Sequence, residues 1–254
     1  MKKRIFALLI IAALAAFSFV GCSDETGETD AANETDADLE YAPDYIIING
    51  QYISTAEVQL ELDGLQITNA DFEQLRYMIS LQSLIIFPST PEHGSIRNIS
   101  ALSGLENLNE LELIRLQLYD SDIESLKHIV NLTHLDLSGN QISDISVLSE
   151  LTNLASLLLN SNQISDVNAL SELTNLERLY FLNNQISNVE ALAGLSNLRE
   201  LSLVGNQISD VSALAGLSNL EILWLQGNPL SDERIADLRA ALPNTHVIAD
   251  DSLS

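Results

Sequence analysis

The sequence has one cysteine, five prolines and one tryptophan in 254 residues, and only eleven Lys and Arg against 36 Asp and Glu. A single cysteine excludes an internal disulfide and any multi-cysteine metal site. The shortage of basic residues gives a net charge of -25. Such a surface is repelled by nucleic acid and by anionic membrane, so a nucleic-acid partner is excluded. His93, His128 and His246 are scattered along the chain and suggest no metal site. No cofactor motif is present, and the expected cofactors are none. After residue 20 no apolar run approaches the roughly 20 residues that a membrane helix needs.

What basic charge there is begins at the front. Lys2, Lys3 and Arg4 precede the apolar run IFALLIIAALAAFSFV, and Gly21-Cys22 follows directly. Val20, Gly21 and Cys22 resemble the cleavage box of a bacterial lipoprotein signal, although Phe19 stands where leucine is usual. Residues 1–21 are therefore expected to be removed and Cys22 to be acylated, anchoring an extracytoplasmic protein to the cell membrane or cell surface. An ordinary secretory signal or an uncleaved anchor is the alternative. Residues 22–44 carry nine carboxylates and no basic residue. So little apolar content cannot offset the entropy of ordering, and a disordered tether longer than about 25 Å is expected. A calcium loop is disfavoured, because DADLE lacks the glycine and later glutamate of that motif.

The remainder repeats. Asn140, Asn162, Asn184, Asn206 and Asn228 stand 22 residues apart. Each follows three apolar positions, such as Leu132, Leu135 and Leu137 or Leu154, Leu157 and Leu159, and precedes Ile142, Ile164, Ile186, Ile208 or Leu230. This is the L-x-x-L-x-L-x-x-N-x-I/L pattern of leucine-rich repeats, and looser units extend upstream through Leu111, Leu84 and Leu60. One unit cannot cover its own apolar face, so stacking into an α/β solenoid with a parallel concave sheet of about eight turns is expected. In each strand the leucines point inward and the residues between them outward. The asparagine amides are expected to bond backbone groups left unpaired by each turn, forming an internal ladder. Ser143 or Asp144 is expected to cap a short helical turn that sends Leu148 into the core.

The ends need caps, because a bare terminal unit exposes core and strand edge. YIIINGQYIS predicts a hairpin at Asn49-Gly50, and TNADFEQLRYM a short helix capped by Thr68 or Asn69 and burying Phe72 and Leu75. SDERIADLRAALP predicts a helix from Asp232, apolar at Ile235, Leu238 and Leu242, stopped by Pro243, with THVI as a last edge strand. The leucine-rich repeat domain is thus placed at 45–250, with an N-cap at 45–79, repeats at about 56–228 and a C-cap at 229–250. FPSTPEHGS, with its loop at 88–95, interrupts the second unit.

NLTHLDLSGNQISDISVLSELT resembles the 22-residue repeat of bacterial internalin-type proteins, and the hairpin-plus-helix start resembles caps of related clostridial-type surface proteins. The resemblance implies an extracellular recognition module without catalytic activity. No cell-wall sorting motif or immunoglobulin-like domain follows the repeats, so anchoring is expected to rest on Cys22 and an invasion role is not carried over.

The outward columns of the strands vary where the core does not. Leu158, Tyr180, Leu182, Val204, Ile222 and Trp224 approach one another toward the C-terminal half, rimmed by Arg178, Glu200 and Asp136. That composition predicts a partner-binding site for a protein, with the protein itself a monomer. A plain strand preference for aromatic and β-branched residues is the bland alternative. A carbohydrate or cell-wall ligand stacking on Trp224 and Tyr180 is the second functional reading. The remote third is a hydrolase built on Ser156, His134 and Asp136, which would also need an oxyanion hole and a nucleophile on a sharp turn.

Overall fold

The computed structural model describes residues 42–90, 94 and 96–249. The expected signal segment, Cys22 and all of the tether but residues 42–44 lie outside the described residues, as do 91–93, 95 and 250–254.

The chain enters through a hairpin, β1 (Tyr45–Ile48) and β2 (Gln51–Ser54), paired antiparallel. Its turn places Asn49 and Gly50 at φ 49° and 74°, the left-handed geometry that an Asn-Gly pair adopts most readily. Ile46 and Ile48 bury one face of the hairpin in the core. Helix α1 (Asn69–Glu73) follows β3 (Gln59–Asp63). Thr68 caps it: the hydroxyl accepts from the Asp71 N–H, and the Asp71 carboxylate accepts from the Thr68 N–H. Phe72 and Leu75 are buried as expected.

The main sheet has nine parallel strands in the order of the chain. After β3 come β4 (Ser83–Phe87), β5 (Glu110–Leu113), β6 (His134–Asp136), β7 (Ser156–Leu158) and β8 (Arg178–Tyr180). β9 (Glu200–Ser202), β10 (Ile222–Trp224) and β11 (His246–Ile248) complete it. Eight of these belong to repeats, and β11 is the THVI edge strand. Leu84, Leu111, Leu135, Leu157, Leu179, Leu201 and Leu223 are fully buried and register across the sheet. Opposite the sheet, each regular unit returns through a 3₁₀ turn, as at Ser146–Glu150 and Asn168–Leu170. Leu148 and Leu170 from these turns close the core from that side. Helix α2 (Asp232–Ala241) seals the far end: Ser231 caps it, and Leu238 and Leu242 pack into the core with Val247 of β11.

The recurrent Asn is internal. Asn162 Nδ2 donates to the carbonyls of Leu137 and Leu159 at 3.0 and 3.2 Å, and its Oδ1 accepts the Ile142 N–H at 3.1 Å. Asn184, Asn206 and Asn228 repeat this arrangement one turn further on each time. Each side chain therefore satisfies backbone groups of its own turn and of the turn before it. The residue ahead of each is Gly139, Ser161, Asn183, Gly205 or Gly227, all at φ between 54° and 74°. That left-handed bend favours Gly and tolerates Asn, which explains four of the five residues; Ser161 holds it without that advantage.

Neither capping candidate occupies the N-cap, which is Ile145 and makes no side-chain cap bond; the aspartate acts from one residue earlier. Asp144 Oδ1 accepts the Ser146 N–H at 2.8 Å, and Asp166 and Asp210 make the same bond to Asn168 and Ser212. Asn188 makes it to Glu190 at 2.8 Å, as expected if this column caps backbone N–H groups. Ser143 instead donates its hydroxyl to Asp120.

A second asparagine column, not anticipated from the sequence, runs along the edge where each unit enters its strand. Asn107, Asn131, Asn153, Asn175, Asn197 and Asn219 each donate Nδ2 to a carbonyl of the preceding unit at 2.8–2.9 Å. The two ladders tie neighbouring turns together from inside and outside.

Candidate functional site

The register of the sheet places Leu158, Tyr180, Ser202 and Trp224 in one outward column, on four successive strands. Tyr180 and Trp224 are two strands apart, so their backbones are separated by roughly 10 Å. Their rings lean toward each other across that gap, with centroids 6.2 Å apart and planes inclined at 35°. Ser202 on the strand between them is only 8% exposed. Each ring is half-buried, so one side packs and the other faces solvent.

The Tyr180 hydroxyl donates to the Glu200 carboxylate. Burial, the hydrogen bond to Glu200 and that carboxylate's charge push the Tyr180 phenol up to about 12, with Arg178 opposing. The phenol is therefore neutral and fixed as a donor at any physiological pH. Glu200 serves to orient an aromatic ring as well as to rim the patch. Leu158, Val204 and Ile222 are half-buried, while Leu182 and Arg178 are exposed. The Leu182 N–H is held by Asn160 Oδ1 at 2.9 Å, so the strand end that carries this leucine is itself pinned.

The other half of the same face is acidic. Glu61, Glu112 and Asp136 share the outward column, with Glu110 and Asp63 beside them. Asp136, placed on the rim of the patch by the sequence, is in fact buried, and its Oδ1 accepts the Ser138 N–H at 2.8 Å. Burial pushes its carboxyl up, and the bonds from Ser138 oppose that shift.

The three residues of the hydrolase reading occupy neighbouring places without forming a relay. Ser156 is 3% exposed, and its N–H is spent on the Thr133 carbonyl at 3.0 Å. His134 turns Nε2 toward Glu112 Oε1, 3.3 Å away, and not toward Asp136 or Ser156. The hydrogen bond to Glu112 raises the His134 pKa against the opposing effect of burial. With Nε2 engaged by Glu112, the imidazole is not placed to take a proton from Ser156.

The 88–95 loop is described only at Pro88, Ser89, Thr90 and Gly94. The Ser89 N–H is tied back to Asp63 Oδ1 at 3.1 Å.

Residues 130–170, 152–194 and 196–240 match the family model for leucine rich repeats (2 copies). Among solved structures, the chain is similar to internalin C2 of Listeria monocytogenes, with 29% identity and a TM-score of 0.67, over 79% of this chain and 86% of that one. It also resembles a leucine-rich repeat protein of Leptospira interrogans in fold, with 23% identity and a TM-score of 0.58, over 69% of this chain and 50% of that one. No curated protein matches the chain.

Proposed function

From the leucine-rich repeat match and the internalin-like solenoid fold, we propose that the chain is a lipid-anchored, extracytoplasmic module that binds a protein partner through the outward face of its sheet. The observation that carries this reading is the Tyr180–Trp224 pair, held in the middle of an otherwise aliphatic cluster on an open strand face. Large aromatic side chains fixed by their neighbours lose little entropy on binding, and such groups dominate protein interfaces. The acidic strands β3, β5 and β6 lie on one side of the cluster, so the partner surface should pair an apolar patch with flanking basic residues. Anchoring through Cys22 and export by residues 1–21 belong to the same proposal. No helix among the described residues is long and apolar enough to cross a membrane.

Trp224→Ala and Tyr180→Ala test the reading. Both side chains leave the outer face of the sheet, so each truncation should change stability by no more than about 0.5 kcal/mol. Truncation at an interface hot spot costs about 2 kcal/mol or more, roughly thirtyfold in affinity. A partner captured by the purified chain should therefore lose at least that much affinity for each variant, at an unchanged melting curve. Wild-type binding by both variants would move the site off this face. Weak capture that free sugar competes away would replace the protein partner with a glycan.

A further inference from the structure

The binding reading leaves one side-chain cluster of the sheet unused. Glu110 and Glu112 are two residues apart on β5, so both carboxylates leave the same face of the sheet. In the parallel register Glu110 lies beside His134, and Glu112 beside Asp136. One carboxylate oxygen from each glutamate and one ring nitrogen of His134 all lie within 4.8 Å of one another. His134 Nε2 and Glu112 Oε1 are already 3.3 Å apart. From the other flank, the Ser83 hydroxyl on β4 donates to Glu110 Oε2 at 2.7 Å, holding that carboxylate in place. All three donor residues are half-buried.

We propose that Glu110, Glu112 and His134 form a three-donor site for a divalent transition-metal ion of the zinc type. Tetrahedral zinc holds imidazole nitrogen and carboxylate oxygen at about 2.0–2.2 Å, which sets neighbouring donors about 3.3–3.5 Å apart. The His134–Glu112 pair already has that separation, and a Glu110 carboxylate oxygen lies within 4.8 Å of both donors. The mixed donor set also selects the metal. Calcium and magnesium favour all-oxygen shells, whereas imidazole with carboxylate suits zinc and its neighbours in the first transition row. Ser83 has the geometry of an outer group that orients a ligating carboxylate. Three protein donors leave at least one position open toward the outward face, one strand from Leu158 of the aromatic cluster. A carboxylate or imidazole of a bound partner can complete the shell there.

Zinc binding is measured by calorimetry on the purified full chain, with His134→Gln, Glu112→Gln and the control His246→Gln. The expected result is one equivalent of zinc that excess calcium or magnesium does not displace. That uptake should weaken at least tenfold in His134→Gln and Glu112→Gln and stay unchanged in His246→Gln. Cobalt added to the wild-type chain supplies a readout that needs no variant: a visible band of low-symmetry, four- or five-coordinate cobalt, abolished by zinc. Failure to bind zinc, equal competition by calcium, or undiminished binding in His134→Gln would each overturn the site. In the last case the acidic residues 22–44 would be the binding segment, and His134–Glu112 would be an ordinary charged hydrogen bond.

Discussion

Single residues in this chain act through backbone groups more than through each other. Asn162 is the clearest case, since its amide closes carbonyls of two different turns and its oxygen takes an N–H of the earlier one. Those groups are buried, and removing their partner leaves them without water to replace it. Asn162→Ala should therefore cost about 1–3 kcal/mol. Leu157→Ala, at a fully buried position, should cost about 2–5 kcal/mol through the cavity it leaves. Denaturant melts of the two variants measure both, and an unchanged midpoint for Asn162→Ala would show that the amide bonds are not stabilising. This column was legible in the sequence because an amide recurring at a fixed period among core leucines must find its partners in the backbone of the turns around it. The outer asparagine column, from Asn107 to Asn219, recurs at the same interval among the regular units, yet an exposed asparagine before an apolar strand looks like ordinary loop composition. Only the bonds to the preceding unit reveal its role.

Among the elements, the strands were readable to the residue because their period of two ties register to burial, and a slip by one would turn every leucine outward. The outward columns fall where the alternation places them, including Tyr180, Ser202 and Trp224 on adjacent strands. The rotamers that bring the two rings to 6.2 Å, and that turn His134 to Glu112 instead of Asp136, depend on side-chain packing that no periodicity encodes. The caps differ in kind from the repeats, because each covers a single end. Helix α2 buries Leu238 and Leu242 against the last repeat, and β11 leaves only a three-residue edge beyond it. In a stack held by nearest-neighbour contacts, damage at one end loosens that end first. Leu238→Ala should cost about 2–5 kcal/mol and should raise amide exchange in β10 and β11 well before β6 and β7. Uniform loss of protection across the sheet would mean that the solenoid unfolds as one cooperative unit.

At the scale of the whole molecule the decisive quantity is charge. With eleven basic residues against 36 acidic ones, the chain cannot hold an anionic membrane by electrostatics, and its surface is repelled by one. A single acyl chain gives only marginal, reversible membrane attachment, and stable anchoring needs a second chain or a basic patch. This sequence has no basic patch outside Lys2, Lys3 and Arg4, which the proposed cleavage removes. If Cys22 is the anchor, it must therefore carry at least two acyl chains. Mass spectrometry of the N-terminal peptide should find Cys22 as the first residue, heavier by two or more acyl chains. Cys22→Ser should release the protein from the membrane fraction while leaving the melting curve of the solenoid unchanged. A free thiol at Cys22, or residues 1–21 still attached, would remove the lipid from the proposal and leave the binding face to act on a secreted or helix-anchored protein.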